Sequence, residues 1–119
     1  WMLAHKFAAT IVAALILCSP LFSGPQTPRR IEIAASKFSY NPNEITLKKD
    51  EPVVLVLHST DVTHGLVIPE LNVAVMEIKK GKDTEVPLTP TKTGHFTGQC
   101  AHFCGTDHGK MILEVEVVE

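Results

Sequence analysis

The last run of the chain alternates strictly: Met111, Leu113, Val115 and Val117 fall on one face of an extended strand, Glu114 and Glu116 on the other. Successive side chains of a strand point to opposite faces, so this run fits a half-buried strand and no helix. The same period recurs upstream. Ile31, Ile33 and Ala35 alternate with Glu32 and Ser36, and Ile45 and Leu47 follow a turn at Asn41-Pro42-Asn43. Residues 53–57 are continuously apolar, as suits a central strand buried on both faces. Residues 83–88 read as a more polar strand and 94–98 as a short one. Pro and Gly recur too often to leave a window for a long helix. The expectation is an all-β Greek-key sandwich of seven to eight short strands.

With 119 residues, 45% of them hydrophobic, the chain has room for one small domain and no second. Its start has a different character. His5 and Lys6 precede an apolar run, and no further charge appears until Arg29. A basic start, a short apolar core and then small or turn-forming residues read as an export signal. The alternative is an uncleaved membrane anchor, since residues 7–23 are just long enough to span a bilayer. Pro20 and the Arg29-Arg30 pair beyond it favour cleavage, because Lys and Arg prefer the cytoplasmic flank. Cys18 follows the bulky Leu17 and reads as an apolar residue of this segment. The division is thus 1–28 for signal or anchor plus linker and 29–119 for the folded domain. That domain is expected outside the cytoplasm, in the periplasm or on the outer face of the membrane, where unprotected thiols tend to pair.

Charge narrows the choice of partner. Eleven Lys and Arg stand against 13 Asp and Glu, a net charge of −2 with no basic run, which excludes a nucleic-acid binder. A mild acidic balance fits a basic redox partner such as a c-type cytochrome, and equally fits plain solubility. No repeat is visible.

The chemistry concentrates in Cys100-Ala-His102-Phe-Cys104-Gly-Thr-Asp-His108-Gly-Lys-Met111, with His64 as an upstream candidate. Thiolate, thioether and imidazole form a soft donor set that suits copper better than magnesium, calcium or manganese. The alternation of the last strand turns Met111 inward, where it can reach a metal held by the preceding loop. Cys104, His108 and Met111 with His64 would serve a single copper; Cys100 adds a second thiolate able to bridge two ions. Two rivals are a disulfide between Cys100 and Cys104 and a tetrahedral zinc site. His58 and His95 read as surface or satisfied polar residues. Asp61 reads as a turn-former, with contact to His64 as the alternative. No Ser-His-Asp pattern and no isolated Cys with a base partner points to catalysis by the chain itself.

These residues resemble the copper-A (CuA) domain of cytochrome c oxidase subunit II. The loop Gly98-Gln99-Cys100-x-x-x-Cys104-Gly105-x-x-His108-x-x-Met111 and the upstream Asp61, Val62, His64, Pro69 and Leu71 carry the likeness, which runs over residues 31–119. The resemblance implies a cupredoxin fold and an electron-transfer role, with a redox partner protein and a membrane oxidase subunit as partners. It also implies two copper ions bridged by Cys100 and Cys104, with His64 and His108 as terminal ligands. Met111 and the main-chain carbonyl of His102 would be weak ligands. Alternatives are a stand-alone cupredoxin with one copper, a small single-copper reductase and a copper-binding or copper-delivery protein of the cell envelope. The chain departs from the family at three places. His102 replaces a Glu that reaches magnesium at the interface with the catalytic subunit, residues 74–82 lack the family's Asp-Ala-x-Pro-Gly-Arg segment, and Trp1, the only tryptophan, lies outside the expected fold.

Overall fold

The computed structural model describes Ala14 and residues 27–119; the signal or anchor segment, with His5 and Cys18, lies outside the described residues. Nine strands form where the turn spacing predicts seven or eight. They are β1 Arg29–Ser36, β2 Ser39–Asn41, β3 Glu44–Lys48, β4 Val53–Ser59, β5 His64–Ile68, β6 Val73–Ile78, β7 Thr84–Leu88, β8 Gly94–Gln99 and β9 Ile112–Val118. Two 3₁₀ turns, Pro69–Leu71 and His108–Lys110, are the only helical pieces among the described residues. None of these is long and apolar enough to cross a membrane.

The strands make two sheets, ordered β2-β1-β4-β7 and β3-β9-β8-β5-β6. Three antiparallel pairs of consecutive strands stay within a sheet: β1 with β2, β5 with β6, and β8 with β9. Every other connection crosses between the sheets, and β1 with β4 and β3 with β9 run parallel. This is the all-β sandwich that the alternation predicts, in the cupredoxin-like form that the resemblance implies.

The residues that alternate in sequence are the ones that meet between the layers. Ile33, Leu47, Leu55, Leu57, Leu113 and Val115 are almost wholly buried, and each contributes about 1.5–3 kcal/mol on leaving water. Their polar neighbours Glu32, Glu114 and Thr46 face out or lie at the margin. β4 sits between β1 and β7, and Val53, Leu55, Val56 and Leu57 of its apolar run are all buried.

Two features of this frame place the site. β5 and β8 are antiparallel neighbours, with Val67 opposite Gln99, so the start of β5 lies beside the end of β8. The loop leaving β8 therefore emerges next to His64. Its base is closed by the Cys100 N–H, which donates to the Met111 carbonyl at 3.3 Å.

Candidate metal centre

One ring nitrogen of His64 and the sulfurs of Cys100 and Cys104 all lie within 4.8 Å of one another, and all three residues are buried. His64 opens β5; the two cysteines stand on the β8–β9 loop, 36 and 40 positions later. The cysteine sulfurs are 3.7 Å apart and both thiols are free. A disulfide needs an S–S distance near 2.0 Å, so these cysteines are in contact without being bonded.

The rest of the loop brings the other expected groups to the same place. Cys104 Sγ lies 3.7 Å from His108 Nδ1 and 3.9 Å from Met111 Sδ. Cys100 Sγ donates to the His102 carbonyl at 3.0 Å. The backbone explains the spacing. Gly105, at φ 143°, takes the turn after Cys104 in a conformation that side-chain-bearing residues avoid. The His108 N–H then donates to Gly105 O at 3.2 Å and the Met111 N–H to His108 O at 3.3 Å. In a 3₁₀ turn residues three apart stand above one another, so His108 and Met111 face the same side. Met111 is fully buried, as the strand parity predicts.

The donor set fits a soft cation, and His64 supplies the test. Its Nε2 lies 2.6 Å from Asp61 Oδ1. A carboxylate only accepts, so Nε2 carries a proton, and in the neutral ring Nδ1 keeps its lone pair. That Nδ1 is wholly buried and has no hydrogen-bond partner. Buried polar atoms are nearly always paired, and a bound metal satisfies a bare imidazole nitrogen beside two thiols. The electrostatics of the protein alone agree. Burial first, and the neighbouring Cys100 second, raise the pKa of the Cys104 thiol to about 11, so metal-free Cys104 holds its proton until a cation displaces it.

Asp61 is both of the things its sequence position allows. It shapes the turn, with Oδ2 accepting the Lys37 N–H at 2.7 Å and Oδ1 the Val62 N–H at 2.6 Å, and it fixes the His64 ring. Burial works against its ionisation. The Lys37 N–H, the His64 ring and the Val62 N–H outweigh burial and hold its carboxyl at about 2. His102 joins the site through its backbone: its ring Nδ1 is 3.1 Å from the Phe103 carbonyl. His58 and His95 stand apart from the cluster, with His95 exposed 3.9 Å from Glu116.

Two residues near the centre have no signal in the sequence motifs. Phe103 is 75% exposed at the tip of the loop, beside a shallow groove of about 310 Å³ lined mainly by Val62, Thr63, His102 and Cys104. Tyr40 is buried, and its hydroxyl donates to Gly65 O at 2.5 Å. Burial foremost, and then Cys100, raises its phenol pKa above the ordinary range.

A two-sheet sandwich that gathers a His from one strand and a Cys/His/Met loop from its neighbour defines a cupredoxin-like domain with a candidate metal site. Comparison with known proteins places it more closely: the chain belongs to the family of the periplasmic domain of cytochrome c oxidase subunit II, whose model matches residues 27–118. A probable cytochrome c oxidase subunit 2 of Streptomyces coelicolor is 40% identical over 73 residues, which cover 60% of this chain and 22% of that protein. The match therefore spans about a fifth of the relative's length. Among solved structures, the periplasmic domain of cytochrome oxidase subunit II from Bradyrhizobium japonicum superposes with a TM-score of 0.72 at 22% identity, over 80% of this chain and 87% of that one. A chain of a heme-copper terminal oxidase dimer gives 0.68 at 23% identity, over 81% and 74%. At these identities the structures speak for the fold.

Proposed function

We propose that this domain holds copper in a binuclear, thiolate-bridged centre and relays single electrons in a cytochrome c oxidase-type enzyme, on the extracytoplasmic side of a membrane. One observation carries the reading: two buried, unbonded sulfurs 3.7 Å apart, with His64, His108, Met111 and the His102 carbonyl around them. A single copper would use one thiolate, two imidazoles and a thioether. The second buried thiol is what a pair of ions uses.

Cys100 and Cys104 are the bridging ligands in this reading, His64 and His108 the terminal ones. Met111 and the His102 carbonyl are weak ligands. Copper, when bound, supplies a one-electron couple. The protein's own contacts would keep the donors in one arrangement when the metal is held. Asp61 holds the His64 tautomer, the 3₁₀ turn holds His108 and Met111, and the bond between Cys100 N and Met111 O holds the loop ends. Phe103 and the groove beside it form an apolar lip where a redox partner such as a c-type cytochrome would touch, within one residue of Cys104. His102 in place of the family's Glu supports a second reading, a stand-alone electron carrier, because imidazole is a poor ligand for a hard cation.

Metal analysis of the loaded protein tests the assignment and should return about two copper ions per chain. One ion with an intense blue absorption would move it to a mononuclear carrier. A disulfide between Cys100 and Cys104 in the loaded protein would remove both.

A further inference from the structure

We infer that Tyr40 is a positioning residue for the metal loop, acting through Gly65 on the main chain at His102; the inference rests on the copper-binding reading of that loop. Tyr40 belongs to β2, in the four-stranded sheet, whereas Gly65 and the loop belong to the five-stranded one. The phenol therefore spans the layers. Its 2.5 Å bond to Gly65 O fixes the residue that directly follows His64.

Gly65 transmits this hold because nothing larger fits. A Cβ there would stand 2.9 Å from His102 N, 2.9 Å from Val75 O and 3.0 Å from the Ala101 Cβ. Those distances are shorter than packed carbon atoms adopt, so β5 approaches the loop only as glycine. Residue 102 is thereby caught on two sides, its nitrogen against Gly65 and its carbonyl against the Cys100 sulfur at 3.0 Å. A weakly bound ligand tunes a copper site through small changes in its distance, and outer groups that fix a ligand adjust that distance. Tyr40 sets where the His102 carbonyl stands, and hence the potential of the centre, without touching the metal.

Tyr40→Phe removes the hydroxyl alone. In the metal-free protein, amide exchange at residues 101–103 should rise about fivefold, the loss expected for one hydrogen bond. In the copper-loaded protein the metal content should stay at the wild-type value while the near-infrared band and the reduction potential shift. Gly65→Ala attacks the same contact from the other side and should displace the band further. Leu47→Ala is the control, since Leu47 pairs with Val117 at the far end of β9 from Met111. It should lower stability and leave the band in place. Wild-type exchange at residues 101–103 in Tyr40→Phe overturns the inference. So does an unmoved band at equal copper content, or an equal displacement in Leu47→Ala. A wild-type protein that takes up no copper would instead overturn the proposed function, and the exchange measurement would still decide whether Tyr40 holds the loop.

Discussion

Replacing Asp61 tests how much of the centre is built before any metal arrives. Its carboxylate accepts three hydrogen bonds, from Lys37 N and Val62 N and from the Nε2 of a His64 with no exposed surface. In Asp61→Ala the two backbone donors regain water in part, because the turn lies near the surface. The buried Nε2–H does not. A hydrogen bond to a charged group is worth about 1.5–3 kcal/mol and a stranded buried donor costs about 1–3 kcal/mol, so the total loss should be about 3 kcal/mol. For a domain of this size that lowers the melting temperature by about 12–24 °C. Asp61→Asn keeps an acceptor oxygen and should lose about 1 kcal/mol. Copper affinity should fall by about 10–100-fold in Asp61→Ala, since the imidazole loses the group that fixes its tautomer. Acid provides the sign. The carboxyl is held at about 2, below its ordinary value of 3.8, so its contribution is present above that value and is lost as pH falls through about 2. Thermal unfolding of the metal-free proteins and a copper(I) competition titration measure both effects. An Asp61→Ala protein that melts within about 3 °C of wild type, against the shift expected from the lost bonds, would mean that Asp61 does not hold the turn and the His64 ring.

The other ligands make separable predictions. Met111→Leu conserves volume in a fully buried position and should cost less than about 1.5 kcal/mol; copper should stay bound while the reduction potential shifts, as voltammetry would show. Cys104→Ser removes a bridging sulfur and leaves a hard hydroxyl, so the native absorption spectrum should vanish even where some copper remains. His102→Ala should leave the spectrum nearly unchanged, because only the backbone of His102 faces the cysteines. A change as large as that of His108→Ala would make the imidazole a ligand.

The half-buried strands were legible because one face meets the core and the other meets water. β9 shows this best, with Leu113, Val115 and Val117 buried between outward glutamates. β5 was not, because His64, Gly65, Leu66 and Ile68 are all buried and erase the alternation. β6 fails for another reason: its register against β5 shifts between His64 and Leu66, which breaks the period. The ligand loop was readable because its donors lie within twelve residues, with His108 and Met111 three apart. His64 was legible only as a distant candidate imidazole, since its approach to the loop depends on the pairing of Val67 with Gln99. Tyr40 and Gly65 were out of reach for the same kind of reason. Their contact joins residues 25 apart across two sheets, and no local spacing encodes it.

In the proposed centre two copper ions would share one unpaired electron through Cys100 and Cys104. Electron paramagnetic resonance of the copper-loaded, partly oxidised protein tests it most directly, because hyperfine splitting counts the nuclei over which the unpaired electron spreads. Splitting by two equivalent copper nuclei is expected, lost in both Cys100→Ser and Cys104→Ser. Splitting by a single nucleus that survives in Cys100→Ser would contradict it.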